Sequence, residues 1–69
     1  MDESAAKLIR WYVANGDFVS EGDPICEVEM DKATVRIDAW ETGIVRQFAN
    51  EGDVVMLTQD FLRIDPHEN

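Results

Sequence analysis

Sixty-nine residues leave room for one domain and one core, and a hydrophobic fraction of 45% is enough to fold it. One cysteine and one histidine exclude an internal disulfide and a structural zinc site, so packing alone must hold the chain, as suits a reducing compartment. A formal net charge of −9 makes nucleic acid and anionic lipid poor partners, and no run of about 18 apolar residues spans a membrane.

The opening Met1-Asp2-Glu3-Ser4 is acidic and short, unlike a signal or transit peptide, so a cytoplasmic location is expected. Met1 to Ala6 is a poor strand. Leu8 to Val13 is β-branched and aromatic and reads as a strand, because its apolar residues form no clean helical stripe. Asn15-Gly16-Asp17 marks a turn, Phe18-Val19 a short strand, and Glu21-Gly22-Asp23-Pro24 a second turn. Ile25 to Ala39 alternates almost without a break. Ile44 to Phe48, a turn at Asn50-Glu51-Gly52-Asp53, Val54-Val55 and Phe61 to Ile64 complete the chain. Residues 1–65 are read as the domain and 66–69, with His67, as a flexible tail without function.

Shifted by 36 positions, the sequence superimposes on itself. Arg10 falls on Arg46, Gly16-Asp17 on Gly52-Asp53 and Val19 on Val55. The apolar pattern follows without gaps through Leu8/Ile44, Ile9/Val45, Tyr12/Phe48, Ile25/Phe61 and Val28/Ile64, while Lys7 falls on Gly43. Two copies are too few for a solenoid. The expected fold is therefore all-β, a small sandwich or barrel of two antiparallel sheets related by a pseudo-two-fold axis.

The alternating stretch folds into a hairpin with Asp31-Lys32 as its two-residue loop. Its pairs are Met30/Ala33, Glu29/Thr34, Val28/Val35, Glu27/Arg36 and Cys26/Ile37, each matched in character. A slip of one residue would turn every apolar side chain to solvent, so the register is specified. Lys32 then projects into water from the tip. The loop is awkward, because two-residue hairpin turns favour Asn-Gly or Gly-X, although Asp tolerates positive φ. Glu27 and Arg36 are expected to form an exposed ion pair, Cys26 to be a buried small hydrophobe, and Trp11 and Trp40 to pack on the sheet and its edge.

The segment from Cys26 to Val35, with Lys32 in an Asp-Lys-Ala setting, resembles the attachment hairpin of the biotinyl/lipoyl carrier domains, in their lipoyl branch. Gly16-Asp17 upstream, Gly43, and Glu51-Gly52-Asp53 agree, and the resemblance covers roughly Leu8 to Asp65. It implies a flattened barrel of two four-stranded sheets, with lipoate in amide linkage on Lys32 and Asp31, Ala33 and Glu29 as recognition neighbours. It also implies a carrier rather than an enzyme. The implied partners are a lipoate ligase or transferase, a 2-oxo acid decarboxylase, an acyltransferase core and dihydrolipoyl dehydrogenase. Biotin acceptors resemble Met-Lys-Met, which Asp31 and Ala33 do not. A biotin carrier and an unmodified docking module are the alternatives. The chain departs from the lipoyl pattern at Met30, where Thr or Ser is commoner, at Trp40, and at the N-terminus. There the opening strand and surface loop are missing, which leaves an edge open to another copy. No nucleophile–base pair, metal-ligand cluster or phosphate loop supports an independent enzyme.

Overall fold

The computed structural model describes residues 5–57 and 61–66, and among them there is no helix. Seven strands are present: β1 (Ala5–Trp11), β2 (Phe18–Val19), β3 (Pro24–Met30), β4 (Ala33–Asp38), β5 (Gly43–Gln47), β6 (Val54–Met56) and β7 (Leu62–Pro66). They form a four-stranded sheet in the order β4-β3-β1-β6 and a three-stranded sheet in the order β2-β5-β7. Every pairing is antiparallel. Leu8, Ile25, Cys26, Val28 and Val45 lose all exposure between the sheets. At roughly 1.5–3 kcal/mol for each large apolar side chain buried, this small set is the main source of stability.

The repeat seen in the sequence is a physical two-fold, and its centre is held by reciprocal hydrogen bonds. Leu8 N–H donates to Asp53 O (2.8 Å) and Leu8 O accepts from Gly52 N–H (2.7 Å), while Val45 N–H donates to Asp17 O (2.9 Å) and Val45 O accepts from Gly16 N–H (2.8 Å). Trp11 N–H donates to the Glu51 carboxylate, and its mate Gln47 N–H donates to Asn15 Oδ1, both at 2.8 Å. Trp11 Nε1 donates to Ala49 O, and Gln47 Nε2 to Val13 O. Each half thus grips the other through the turn that follows its own first strand.

Those turns share one construction. Asp17 and Asp53 each accept, on Oδ2, the N–H of the residue three positions earlier at 2.9 Å. Gly16 and Gly52 sit at φ 93° and 94°, a left-handed conformation that side chains resist. The Ser20–Asp23 turn repeats the device against Ala39.

The gapless 36-residue alignment fails in the first strand. β1 carries a bulge between Leu8 and Arg10, with Ile9 as the extra residue. Before the bulge the mates are therefore Leu8/Val45 and Ala6/Gly43, not Leu8/Ile44 and Lys7/Gly43. Ala6 and Gly43 are both buried. A side chain on Gly43 would run into the Asp65 carbonyl, so this site demands a small residue in both halves. The strand accordingly begins at Ala5, inside the stretch whose composition reads as poor strand; close packing outweighs alanine's weak β preference. At the other end Pro66, assigned to the tail from the sequence, closes β7 opposite Gly43. His67 and the rest of the tail lie outside the described residues.

Trp11 packs as expected, half-buried and tilted against Phe61 at 6.2 Å between ring centres. Trp40 does not: on the crossing between the sheets it keeps 52% of its surface exposed.

Candidate functional site

The β3–β4 hairpin has the register read from the sequence, from Cys26 opposite Ile37 to Met30 opposite Ala33. Cys26 and Val28 lie wholly in the core, and Met30 and Ile37 pack partly against it. On β4 the matching residues Ala33 and Val35 are exposed, so the ribbon is anchored at its base through β3 and its upper part stands clear of the core.

Asp31 and Lys32 make the connection with φ of 49° and 67°. Positive φ at both central residues defines a type I′ turn, whose twist matches that of the strands, so the ribbon does not splay. Residues with a side chain reach this region at a cost of about 1–2 kcal/mol each, and glycine would remove it. A lysine is held there nonetheless. Strain kept at one residue points to a use for its side chain.

Lys32 is exposed, as are its neighbours Glu29, Asp31 and Ala33. Among the described residues, no hydrogen bond or ion pair engages the Lys32 side chain. The chain's other lysine, Lys7, stands within the sheet between Glu29 and Val54. Among the described residues, the lysine amine on a hairpin apex is that of Lys32.

Lower on the ribbon the expected ion pair is not made. Glu27 and Arg36 do face each other, but Glu27 takes Arg10 (3.3 Å) and the Tyr12 hydroxyl (3.3 Å), and Arg36 takes Asp38 (2.8 Å). The bulge explains the exchange. By absorbing Ile9 it sets Arg10 directly opposite Glu27, a pairing hidden while the strand was read as regular. Exposed pairs of this kind contribute about 0–1 kcal/mol.

Cys26 is fully buried, and desolvation pushes its thiol up to about 11 from 9.0. The unfolded chain then loses this proton first as pH rises. Stability is therefore full below pH 9 and falls between 9 and about 11, by roughly 2–3 kcal/mol at about 1.4 kcal/mol per unit. Urea midpoints across that interval should show the decline in the parent chain and a shallower one in Cys26→Ala.

No group of three His, Cys, Asp or Glu side chains is placed to hold a metal among the described residues. Lys7 is exposed too, but it lies along a paired strand; what the geometry offers at Lys32 is an amine on a hairpin apex, suited to carrying a covalently attached group.

A family model described as "Biotin-requiring enzyme" (Biotin_lipoyl) matches residues 2–64. The chain is 36% identical over 59 residues to the mitochondrial lipoamide acyltransferase component of the branched-chain alpha-keto acid dehydrogenase complex of Arabidopsis thaliana, covering 84% of this chain and 12% of that protein. It is 47% identical over 38 residues to the dihydrolipoyllysine-residue acetyltransferase component of the pyruvate dehydrogenase complex of Rhizobium meliloti, covering 55% and 8%. The chain thus spans about a tenth of the length of these relatives. The solution structure of the lipoyl domain of the 2-oxoglutarate dehydrogenase complex from Azotobacter vinelandii matches with a TM-score of 0.81 at 21% identity, over 94% of this chain and 84% of that one. Two sheets, an internal two-fold, an exposed tip lysine and a family match over nearly the whole sequence agree: the chain belongs to the biotinyl/lipoyl carrier-domain family and has the fold of a lipoyl domain.

Proposed function

We propose that Lys32 carries lipoate in amide linkage, and that the domain presents it as a swinging arm to the active sites of a 2-oxo acid dehydrogenase-type complex. The observation that carries this reading is the unpaired amine on a left-handed apex, held up by a ribbon whose β3 strand is anchored in the core through Cys26 and Val28. Such an amine fits an amide-linked group, because nothing need be broken or moved to reach it. Asp31 and Ala33, rather than two methionines, flank it and favour lipoate over biotin. Relatives named for lipoamide and dihydrolipoyllysine chemistry support the same choice.

When bound, the lipoyl group supplies acyl acceptance from a 2-oxo acid decarboxylase, transfer to coenzyme A at an acyltransferase core, and reoxidation by dihydrolipoyl dehydrogenase. The chain's own part is mechanical. β3 and β4 keep the attachment point clear of the body, and the primed turn directs the Lys32 side chain outward. Glu29 and Asp31 give a lipoate ligase an acidic frame around the amine. Tethering raises the local concentration of the arm at each partner site, so the carrier needs no catalytic group of its own. A cytoplasmic location belongs to the same proposal, resting on the free thiol of Cys26.

Co-expression with a lipoate ligase, and separately with a biotin ligase, followed by intact-mass measurement, tests it. One lipoyl group per chain and no biotin is the expected result. Biotin addition would make the chain a carboxyl carrier, and no addition from either ligase would leave a docking module.

A further inference from the structure

The two faces of the β3–β4 ribbon differ most where it leaves the body. On the outer face Glu29 stands opposite Thr34, with Glu27 and Arg36 below them, so that side is polar and charged. On the inner face the pairs are Met30/Ala33 and Val28/Val35. Val28 is fully buried, yet Val35, its partner on the same face, keeps 42% of its surface exposed. The margin of the core therefore runs between β3 and β4. Beyond it lies an apolar strip, with Met30 packed partly against the core and Ala33 and Val35 open to water.

This strip begins at the attachment point. Ala33 follows Lys32 directly, and Val35 lies roughly 10 Å along the strand from Lys32, at about 3.4 Å per residue. A lysyl side chain extended by a lipoyl group is longer than that and turns at each methylene, so it can leave the tip and still fold back over the strip. Acylation also changes what the side chain gains by doing so. The free amine is cationic and stays in water, because burying an unpaired charge is costly. The amide is neutral, and beyond it the arm is methylenes and a dithiolane, which gain by covering apolar surface. Met30, unbranched and soft, adapts its shape to such a neighbour.

We propose, resting on the reading of Lys32 as the lipoylated residue, that the idle lipoyl arm lies back along Met30, Ala33 and Val35 of its own chain. Polarity chooses the side: the outer face offers the arm only Glu29 and Thr34, the inner face three apolar side chains. Tethering keeps the arm within reach of the strip, so a weak contact is enough to occupy it and no second copy is needed. The strip is short and open to water on one side. The docked arm therefore exchanges rapidly with the free one, and resting there does not bar it from a partner's active site. Val35, the outermost of the three, sets how much of the arm is covered.

The test compares methyl-labelled chain with and without the lipoyl group by NMR, once intact mass has shown the group in place. Lipoylation is expected to shift the methyl signals of Met30 and Val35 and to give nuclear Overhauser contacts from the lipoyl methylenes to Val35. The Thr34 methyl should not move, and none of this should depend on protein concentration. Val35→Thr keeps the branched shape but sets a hydroxyl on the strip, and should cut the shift at Met30 by roughly half or more. Thr34→Ser, on the outer face, should leave that shift as in the parent. Shifts confined to residues 31–33, contacts to Glu29 and Thr34, or shifts that grow with concentration overturn the proposal. So does a Met30 shift unaltered in Val35→Thr. A ligase that leaves the chain unmodified counts against lipoate on Lys32 and leaves the strip to be judged separately. For that, Lys32→Cys is alkylated with a thiol-reactive lipoyl amide, while Cys26, buried and with its thiol pushed up to about 11, stays unreacted, and the same spectra are read.

Discussion

Lys32→Arg is expected to take lipoylation from one group per chain to none while leaving the fold as it is. Arginine keeps the length and the positive charge, and it suffers the same left-handed backbone at φ 67°, so the stability of the tip should change by less than about 0.5 kcal/mol. Its guanidinium, always protonated, is no substitute nucleophile for forming the amide. The one remaining lysine, Lys7, lies between Glu29 and Val54 within the sheet, where no apex presents it. Intact mass after co-expression with a ligase gives the answer, with circular dichroism and a urea curve as the control for folding. Lipoyl mass on the variant, mapped to Lys7, would show that apex geometry does not choose the site.

The second large effect lies far from the tip. Leu8 is fully buried, and its backbone joins the two halves through Asp53 and Gly52. Leu8→Ala removes its packing and leaves a cavity, at a cost of about 2–5 kcal/mol. A single core in a chain this size supplies only about 3–5 kcal/mol in all, so the variant should be largely unfolded without denaturant. Ile9, the bulged neighbour, is half-buried and should lose far less on the same change. Tryptophan fluorescence during urea unfolding compares the two. Equal midpoints for Leu8→Ala and Ile9→Ala would mean that the bulge has been placed on the wrong residue.

How much of this was legible in the residues varies with the physical signal available. The hairpin was readable pair by pair because apolar and charged residues alternate on both strands, and only one register satisfies both faces. The two-fold was readable from matched turns and apolar positions. The bulge was not, because Leu8 and Ile9 are both apolar and alternation alone cannot say which one enters the core. The errors at Gly43 and in the partner of Glu27 both follow from that ambiguity. The type I′ turn was hidden for another reason: propensity argues for glycine at such a site, and here the turn is imposed by the strands that flank it. The site itself was legible as position rather than chemistry. Asp31, Lys32 and Ala33 mark an exposed tip, but that the amine is free of partners is a matter of side-chain placement. Conversely, the exposure of Trp40 was missed, since nothing in its sequence setting distinguishes an edge cover from a side chain left in solvent.

That an exposed amine at position 32 serves as a carrier arm is tested most directly by loading it. The lipoylated chain is incubated with a 2-oxo acid decarboxylase and a labelled 2-oxo acid, then digested and mapped by mass. The expected product holds one labelled acyl group per chain on the Lys32 peptide, and none when unlipoylated chain is used. A fully lipoylated chain that stays unlabelled with decarboxylases for pyruvate, 2-oxoglutarate and branched-chain 2-oxo acids alike, or label bound elsewhere than at Lys32, would contradict the account.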